Sequence, residues 1–137
     1  VAMNVYVTPE EERYLGGGMW LDPETGMHIG LVSVLHDLHC VNMLRKAMYP
    51  DYYSDMKDAT LQPHLEHCVD ALRLSLMCAG DMTLIPTVPS NASRPFEALF
   101  ETTHTCRDFD ALKEWAISRD AADSDYIEKA RTLQSNT

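Results

Sequence analysis

One five-residue pattern, His-x-x-His-Cys, occurs twice in this sequence. The first copy spans His36–Cys40 and reads HDLHC, and the second spans His64–Cys68 and reads HLEHC. Together they use four of the six histidines and two of the four cysteines in a chain of 137 residues. Because chance rarely produces such a repeat, we expect the two copies to share one role. The fold has to accommodate both sets of imidazoles and thiols.

Apolar residues recur at helical spacing around each copy of the pattern. They predict a helix from Leu31 to about Met48, which Pro50 ends, and a second helix from Pro63 to about Cys78. Residues at positions i, i+3 and i+4 of a helix share one face. The two histidines and the cysteine of each copy therefore point the same way.

The remaining elements are predicted to be short, which gives a mainly α fold: a small helical domain with two central motif helices, irregular loops, at most a small β-hairpin and stabilising disulfides. We expect a single domain over 1–137, with an N-terminal arm and hairpin over 1–30, the paired helices over 31–80, and a loop plus C-terminal helices over 81–137. In the N-terminal part, local signals predict an extended Val5–Val7, a capping box at Thr8–Glu11 that starts a helix to about Leu15, and a hairpin of Met19–Leu21 with Met27–Ile29. After the paired helices they predict a loop over Leu84–Arg94 and a helical turn over Pro95–Phe100. Two further helices are predicted, one capped by Asp108 and running to Ser118, and one capped by Ser124 and covering Asp125–Leu133.

Paired imidazoles on two neighbouring helices are a common way to hold a metal ion inside a bundle. Neutral imidazole suits copper, zinc, iron and nickel, and it does not suit calcium or magnesium. Asp37 and Glu66 are each one residue from a motif histidine, so about 100° of helix rotation separates them from the ligand face. We expect these carboxylates to lie outside the ligand set, either at the surface or where one of them could orient an imidazole through its second nitrogen. Zinc with four histidines and copper with three or four both remain open. The metal-ligand candidates are His36, His39, His64 and His67, with His104 as a possible further ligand.

The cysteines have several interpretations. Cys40 and Cys68 could be metal ligands, could pair with each other, or could pair with Cys78 and Cys106, and four cysteines allow three full pairings. An even number of cysteines and a glycosylation sequon at Asn91 favour an oxidising compartment. Since the sequence begins at Val1 and contains no long apolar stretch, we expect any signal or membrane anchor to lie upstream of it.

Composition excludes several classes of function. A net charge of -10 argues against binding nucleic acid or an anionic membrane surface, because both need clustered cations. Gly16–Gly18 lacks the spacing of a dinucleotide or phosphate loop. The two motifs could serve one site within a chain or sites shared by two chains, so a homodimer is possible.

At these residues the sequence resembles the UstYa-like family of fungal secondary-metabolite biosynthesis, whose hallmark is a pair of His-x-x-His-Cys motifs. The resemblance continues through Leu38–Lys46, through His67–Thr83, and through His104–Asp108 to Trp115. It covers roughly residues 32–115.

This resemblance implies a copper-dependent oxidase of mycotoxin or ribosomal-peptide biosynthesis in the secretory-pathway lumen, anchored there by an N-terminal membrane segment in the full-length protein. Its substrate would be a peptide or small-molecule intermediate, modified by cyclisation, hydroxylation or desaturation. The motif histidines would then be catalytic as well as metal-binding. Two alternatives remain: a non-redox cyclase or lyase that uses histidine as general acid and base, with zinc or no metal, and a structural metal-stapled interaction domain.

Overall fold

Two long helices occupy the centre of the chain in the computed structural model, which describes residues 3–90 and 95–121. Helix α2 spans Ser33–Ala47 and helix α3 spans Gln62–Ala79, both within two residues of the predicted bounds. Pro63 lies in the first turn of α3, and Gly80 ends that helix in the left-handed conformation that favours glycine. Between them lie two short 3-10 turns, Ser54–Lys57 and Ala59–Leu61.

The N-terminal arm forms strand β1 (Asn4–Val7), helix α1 (Pro9–Tyr14) and strand β2 (His28–Leu31). The predicted capping box is confirmed, since the Thr8 side chain accepts from the Glu11 amide and the Glu11 side chain accepts from the Thr8 amide. After β2 the chain enters α2, so this arm sets where α2 begins.

Strand β2 pairs antiparallel with β1 in a two-stranded sheet, with Asn4 opposite Leu31. The predicted hairpin of Met19–Leu21 with Met27–Ile29 is only partly present, as an isolated bridge between Leu21 and His28. The Ile29 amide also donates to the Trp20 carbonyl at 3.1 Å, so this segment contacts β2 while β1 forms the paired strand. Gly30 permits this close pairing, because a Cβ there would lie 3.1 Å from both Met19 and Val7.

The prediction of at most one small hairpin was wrong, because a second two-stranded sheet follows α3. Strand β3 (Thr87–Pro89) lies in the predicted loop and strand β4 (Phe96–Ala98) in the predicted helical turn, and they pair antiparallel. Proline had indicated a loop here, but both strands of a two-stranded sheet are edges, where proline is tolerated. The Asn91 sequon and the helix predicted over Asp125–Leu133 lie outside the described residues.

Helix α4 (Phe109–Ser118) begins as predicted, with the Asp108 side chain accepting from the Ala111 amide. Its C-terminal end crosses back to β1, where the Tyr6 amide donates to the Arg119 carbonyl at 2.8 Å. The main hydrophobic cluster forms at this crossing and consists of Val5, Val7, Leu35 and Ala116. About half of the described fold is helical, as a mainly α class requires. None of the helices in the described ranges has the length and apolarity needed to cross a membrane.

Leu35 anchors the start of α2 in this cluster, so its truncation should destabilise the fold. Leu35 is 3% exposed, whereas Leu38 on the same helix is 48% exposed. Replacing Leu35 with alanine should lower the free energy of unfolding by about 2–5 kcal/mol, because a buried cavity is left. Leu38→Ala is the matched control and should cost about 1 kcal/mol or less. Urea denaturation followed by circular dichroism measures both, and equal losses would contradict this placement of the core.

Candidate metal centre

The four motif histidines lie together at the interface of α2 and α3. Between the helices, the ring centroids of His36 and His67 are 5.5 Å apart and those of His39 and His64 are 5.6 Å apart. Within each helix the separations are 6.2 Å in α2 and 6.5 Å in α3. The first histidine of each motif faces the second histidine of the other, which is the pairing of antiparallel helices. The imidazoles therefore form a four-sided cluster.

Two buried cysteines bring the helices close enough for this cluster to form. Cys40 and Cys68 are fully buried and are the largest side chains in the described residues to be so. The sulfur of Cys40 lies 3.9 Å from both ring nitrogens of His36, so the thiol packs against the first histidine of its own motif. Because a thiol is small, it allows the two helix backbones to approach each other.

Burial keeps the Cys40 thiol protonated. Loss of solvent, followed by contact with Cys68 and the nearby charge of Asp37, raises the pKa of Cys40 to about 12. All four cysteines are free thiols in this structure, with Cys78 and Cys106 exposed. The predicted disulfides therefore stay a prediction.

The cluster environment favours the neutral form of His39. Burial lowers the pKa of His39 below its usual value, and the neighbouring His64 and His36 lower it further. Neutral imidazole is the form that binds a metal ion, so protons compete weakly for this side chain at neutral pH.

The two acidic motif residues lie outside the ligand face, as predicted, and neither orients an imidazole in the described part of the chain. Asp37 accepts a 2.6 Å hydrogen bond from the Ser75 hydroxyl, and Glu66 accepts one of 3.0 Å from Gln62. No hydrogen bond in residues 3–90 and 95–121 joins either carboxylate to a motif histidine. Their positions explain this: each is turned away from the ligand face, and Asp37 instead ties α2 to the middle of α3.

His104 lies apart from the cluster and both of its ring nitrogens have partners. Nδ1 lies 2.8 Å from a carboxylate oxygen of Asp81, and Nε2 lies 3.0 Å from the Thr102 hydroxyl. Asp81 also accepts hydrogen bonds from Thr83, and these bonds together with His104 lower the pKa of Asp81 to about 2. In this arrangement His104 hydrogen-bonds to the Asp81 carboxylate and does not join the four imidazoles.

A cavity of about 1050 Å³ opens beside the cluster on the side of His36 and His67. Helices α2 and α3 form part of its wall, and Asp81 and Arg107 from the following segment complete it. A smaller cavity of about 330 Å³ lies on the other side, against His39. The imidazoles can therefore be reached by a small molecule from the larger cavity.

The donor set fits a metal ion, although the rings are more widely spaced than in a closed site. An imidazole nitrogen binds such an ion at about 2.0 Å, so four rings on one ion would have centroids roughly 5 Å apart. The observed separations are somewhat longer. Among the described residues, no three His, Cys, Asp or Glu side chains converge closely enough to enclose an ion as they stand.

Comparison with known proteins places these features in a family. The sequence model of "Mycotoxin biosynthesis protein UstYa" matches residues 3–119, which is most of the chain. The chain therefore belongs to the UstYa family, as the paired motifs predicted. No solved structure is significantly similar to it.

Relatives from three fungi are named oxidases. The chain is 37% identical to "Oxidase ustYa" of Aspergillus flavus over 98 residues, covering 70% of this chain and 44% of the relative. It is 35% identical to "UstYa family oxidase phomYd" of Diaporthe leptostromiformis over 117 residues, covering 82% and 38%. It is 38% identical to "UstYa family oxidase VicYb" of Bipolaris victoriae over 94 residues, covering 67% and 81%. The matched region spans about two fifths of the length of the first two.

Removing His64 should raise the pKa of His39, because the change opens that side chain to solvent and removes a neighbouring positive charge. NMR titration of the imidazole protons in metal-free protein measures this, with His28→Ala as a control outside the cluster. Since the folded-state pKa of His39 lies below 6.5, the metal-free fold should lose stability as pH falls from the unfolded value through the lowered one. An unchanged His39 pKa in the His64→Ala variant would contradict the cluster geometry.

The buried and exposed cysteines should react differently after reduction. At neutral pH, iodoacetamide should modify Cys78 and Cys106 quickly and Cys40 and Cys68 slowly, because the latter two are shielded at the helix interface and the raised pKa of Cys40 also makes its reactive thiolate scarce. Peptide mass spectrometry over time gives the order, and a urea-unfolded sample, in which all four should react alike, is the control. Rapid labelling of Cys40 in the folded protein would contradict its burial.

Proposed function

We propose that this chain is a copper-dependent oxidase of fungal natural-product biosynthesis. It would catalyse cyclisation, hydroxylation or desaturation of a peptide or small-molecule intermediate. The observation that carries the proposal is the cluster of four imidazoles beside a cavity large enough for a substrate. Membership in the UstYa family and the names of the relatives support the oxidase class.

Copper fits the proposed class of reaction better than zinc does. Both ions accept imidazole ligands, but zinc has no redox chemistry. Copper, when bound, supplies the electron transfer that no side chain of this cluster provides. His36, His39, His64 and His67 would hold the ion. His104 would join them only by leaving Asp81.

The residues around the cluster would hold the imidazoles in place and would position the substrate beside them. Fully buried Cys40 and Cys68 fix the spacing of the two helices behind the imidazoles, and the Asp37–Ser75 hydrogen bond fixes their register. The larger cavity would present the substrate to His36 and His67.

We further propose that the domain works in the lumen of the secretory pathway. There, a Cys40–Cys68 disulfide would clamp the helices and leave Cys78 to pair with Cys106, and Asn91 would be available for glycosylation. The contact between Cys40 and Cys68 that raises the pKa of Cys40 supports the first pairing.

Loss of a motif histidine should weaken copper binding enough that desalted protein no longer retains the metal. His39→Ala and His67→Ala should each weaken binding about 100-fold or more, since losing an outer partner alone costs about 10- to 100-fold. Plasma mass spectrometry of copper-reconstituted, desalted protein measures the metal content. The matched controls are His28→Ala, which should retain copper, and His104→Ala, which should retain it if the four imidazoles suffice.

Two kinds of result would contradict the proposal, and the metal content distinguishes them. Zinc in place of copper, or no metal after copper is supplied, would favour a non-redox cyclase or an interaction domain. Copper retained by both motif variants would contradict the assignment of these ligands.

A further inference from the structure

The larger cavity is lined by Arg107, whose guanidinium has no hydrogen-bond or ion-pair partner in the described part of the chain. Of its ionisable side chains, Asp37 accepts from Ser75, and Asp81 accepts from Thr83 and His104. Arg107 also lines this cavity, and no hydrogen bond or ion pair engages its guanidinium within residues 3–90 and 95–121. The cavity therefore has two carboxylates that already accept hydrogen bonds and one exposed guanidinium that is open to a ligand.

The other arginines near the helix pair are engaged. Arg45 contacts Asn42 and Tyr53, Arg73 pairs with Asp70, and Arg119 pairs with Glu11. Lys113 on α4 has no recorded partner in the described residues either, but it does not line the cavity. Arg107 thus combines an available charge with a place beside the imidazoles.

The rest of the cavity wall indicates which chemical groups a ligand of Arg107 would carry besides its negative charge. Ala71, Leu74 and Ala79 of α3 give the cavity an apolar side, while His36 and His67 lie on its wall. A volume of about 1050 Å³ exceeds what a simple inorganic anion fills, and it is in the range of sites for organic ligands.

We propose that this cavity binds an organic carboxylate, with Arg107 holding the carboxylate group and the α3 wall contacting an aliphatic portion. Arginine is suited to this role because its planar guanidinium can donate two parallel hydrogen bonds to a carboxylate. The proposal rests on the oxidase function and deepens it: Arg107 is a specificity-determining residue, and the substrate is an acid anchored beside the metal centre. A free organic acid and the C-terminus of a peptide share this chemistry.

Binding is tested on the full 137-residue chain without metal, so the result does not depend on turnover. N-acetyl-leucine and an N-acetylated leucyl-alanyl-leucine acid are titrated into ¹⁵N-labelled protein beside their neutral C-terminal amides. Both acids should shift the amide signals of Leu74, Ser75 and Arg107 and should bind about tenfold tighter than their amides. Tighter binding of the tripeptide acid would indicate a peptide source, and equal binding would indicate a small acid.

Arg107→Gln should remove the preference for acid over amide, and Lys113→Gln should preserve it. Arg107→Lys keeps the charge without the paired geometry and should reduce the preference without abolishing it, which gives a second reading if the glutamine variant does not fold. The proposal is overturned if the wild-type protein binds acid and amide equally or neither, or if the preference survives in Arg107→Gln. These results leave the copper assignment untouched, because that assignment is judged by metal content alone.

Discussion

The interface between α2 and α3 depends on two small buried thiols. Cys40 and Cys68 are completely shielded from solvent, and each lies one residue after a motif histidine and four after the other. Because these positions share a helix face, packing the thiols inward turns all four imidazoles toward the same interface. A larger residue at either position would separate the helices and the rings together. The cysteine of each motif thus sets the distance between the helices, and this distance brings the histidines of both motifs together.

The hydrophobic core and the cluster of imidazoles occupy different parts of the structure. The hydrophobic cluster lies at the crossing of β1, the start of α2 and the end of α4, where Leu35 is buried. His36 is the next residue along the chain, so the core fixes the first ligand candidate directly. Helix α3 has little contact with that core and is held mainly by α2. Its polar link, Ser75 to Asp37, lies on the wall of the larger cavity.

Local signals predicted much of this arrangement. Apolar periodicity with Pro63 and Gly80 placed the long helices, and Thr8 and Asp108 marked helix starts, because each of these features acts through nearby backbone. The repeated motif also predicted the family correctly. Pairing of β3 with β4 was missed, because three-residue strands carry no periodicity and their prolines suggested a loop. The Asp37–Ser75 bond and the position of Arg107 join residues far apart in sequence, and no local pattern encodes them.

The central claim is that four imidazoles, and not the neighbouring thiols, form the metal centre. X-ray absorption at the copper edge of the copper-loaded chain tests it most directly. We expect a first shell of nitrogen at about 2.0 Å with the outer-shell scattering of several imidazole rings. Sulfur at about 2.3 Å would instead make Cys40 or Cys68 a ligand. A first shell with neither imidazole scattering nor sulfur would remove the site from the α2–α3 interface altogether.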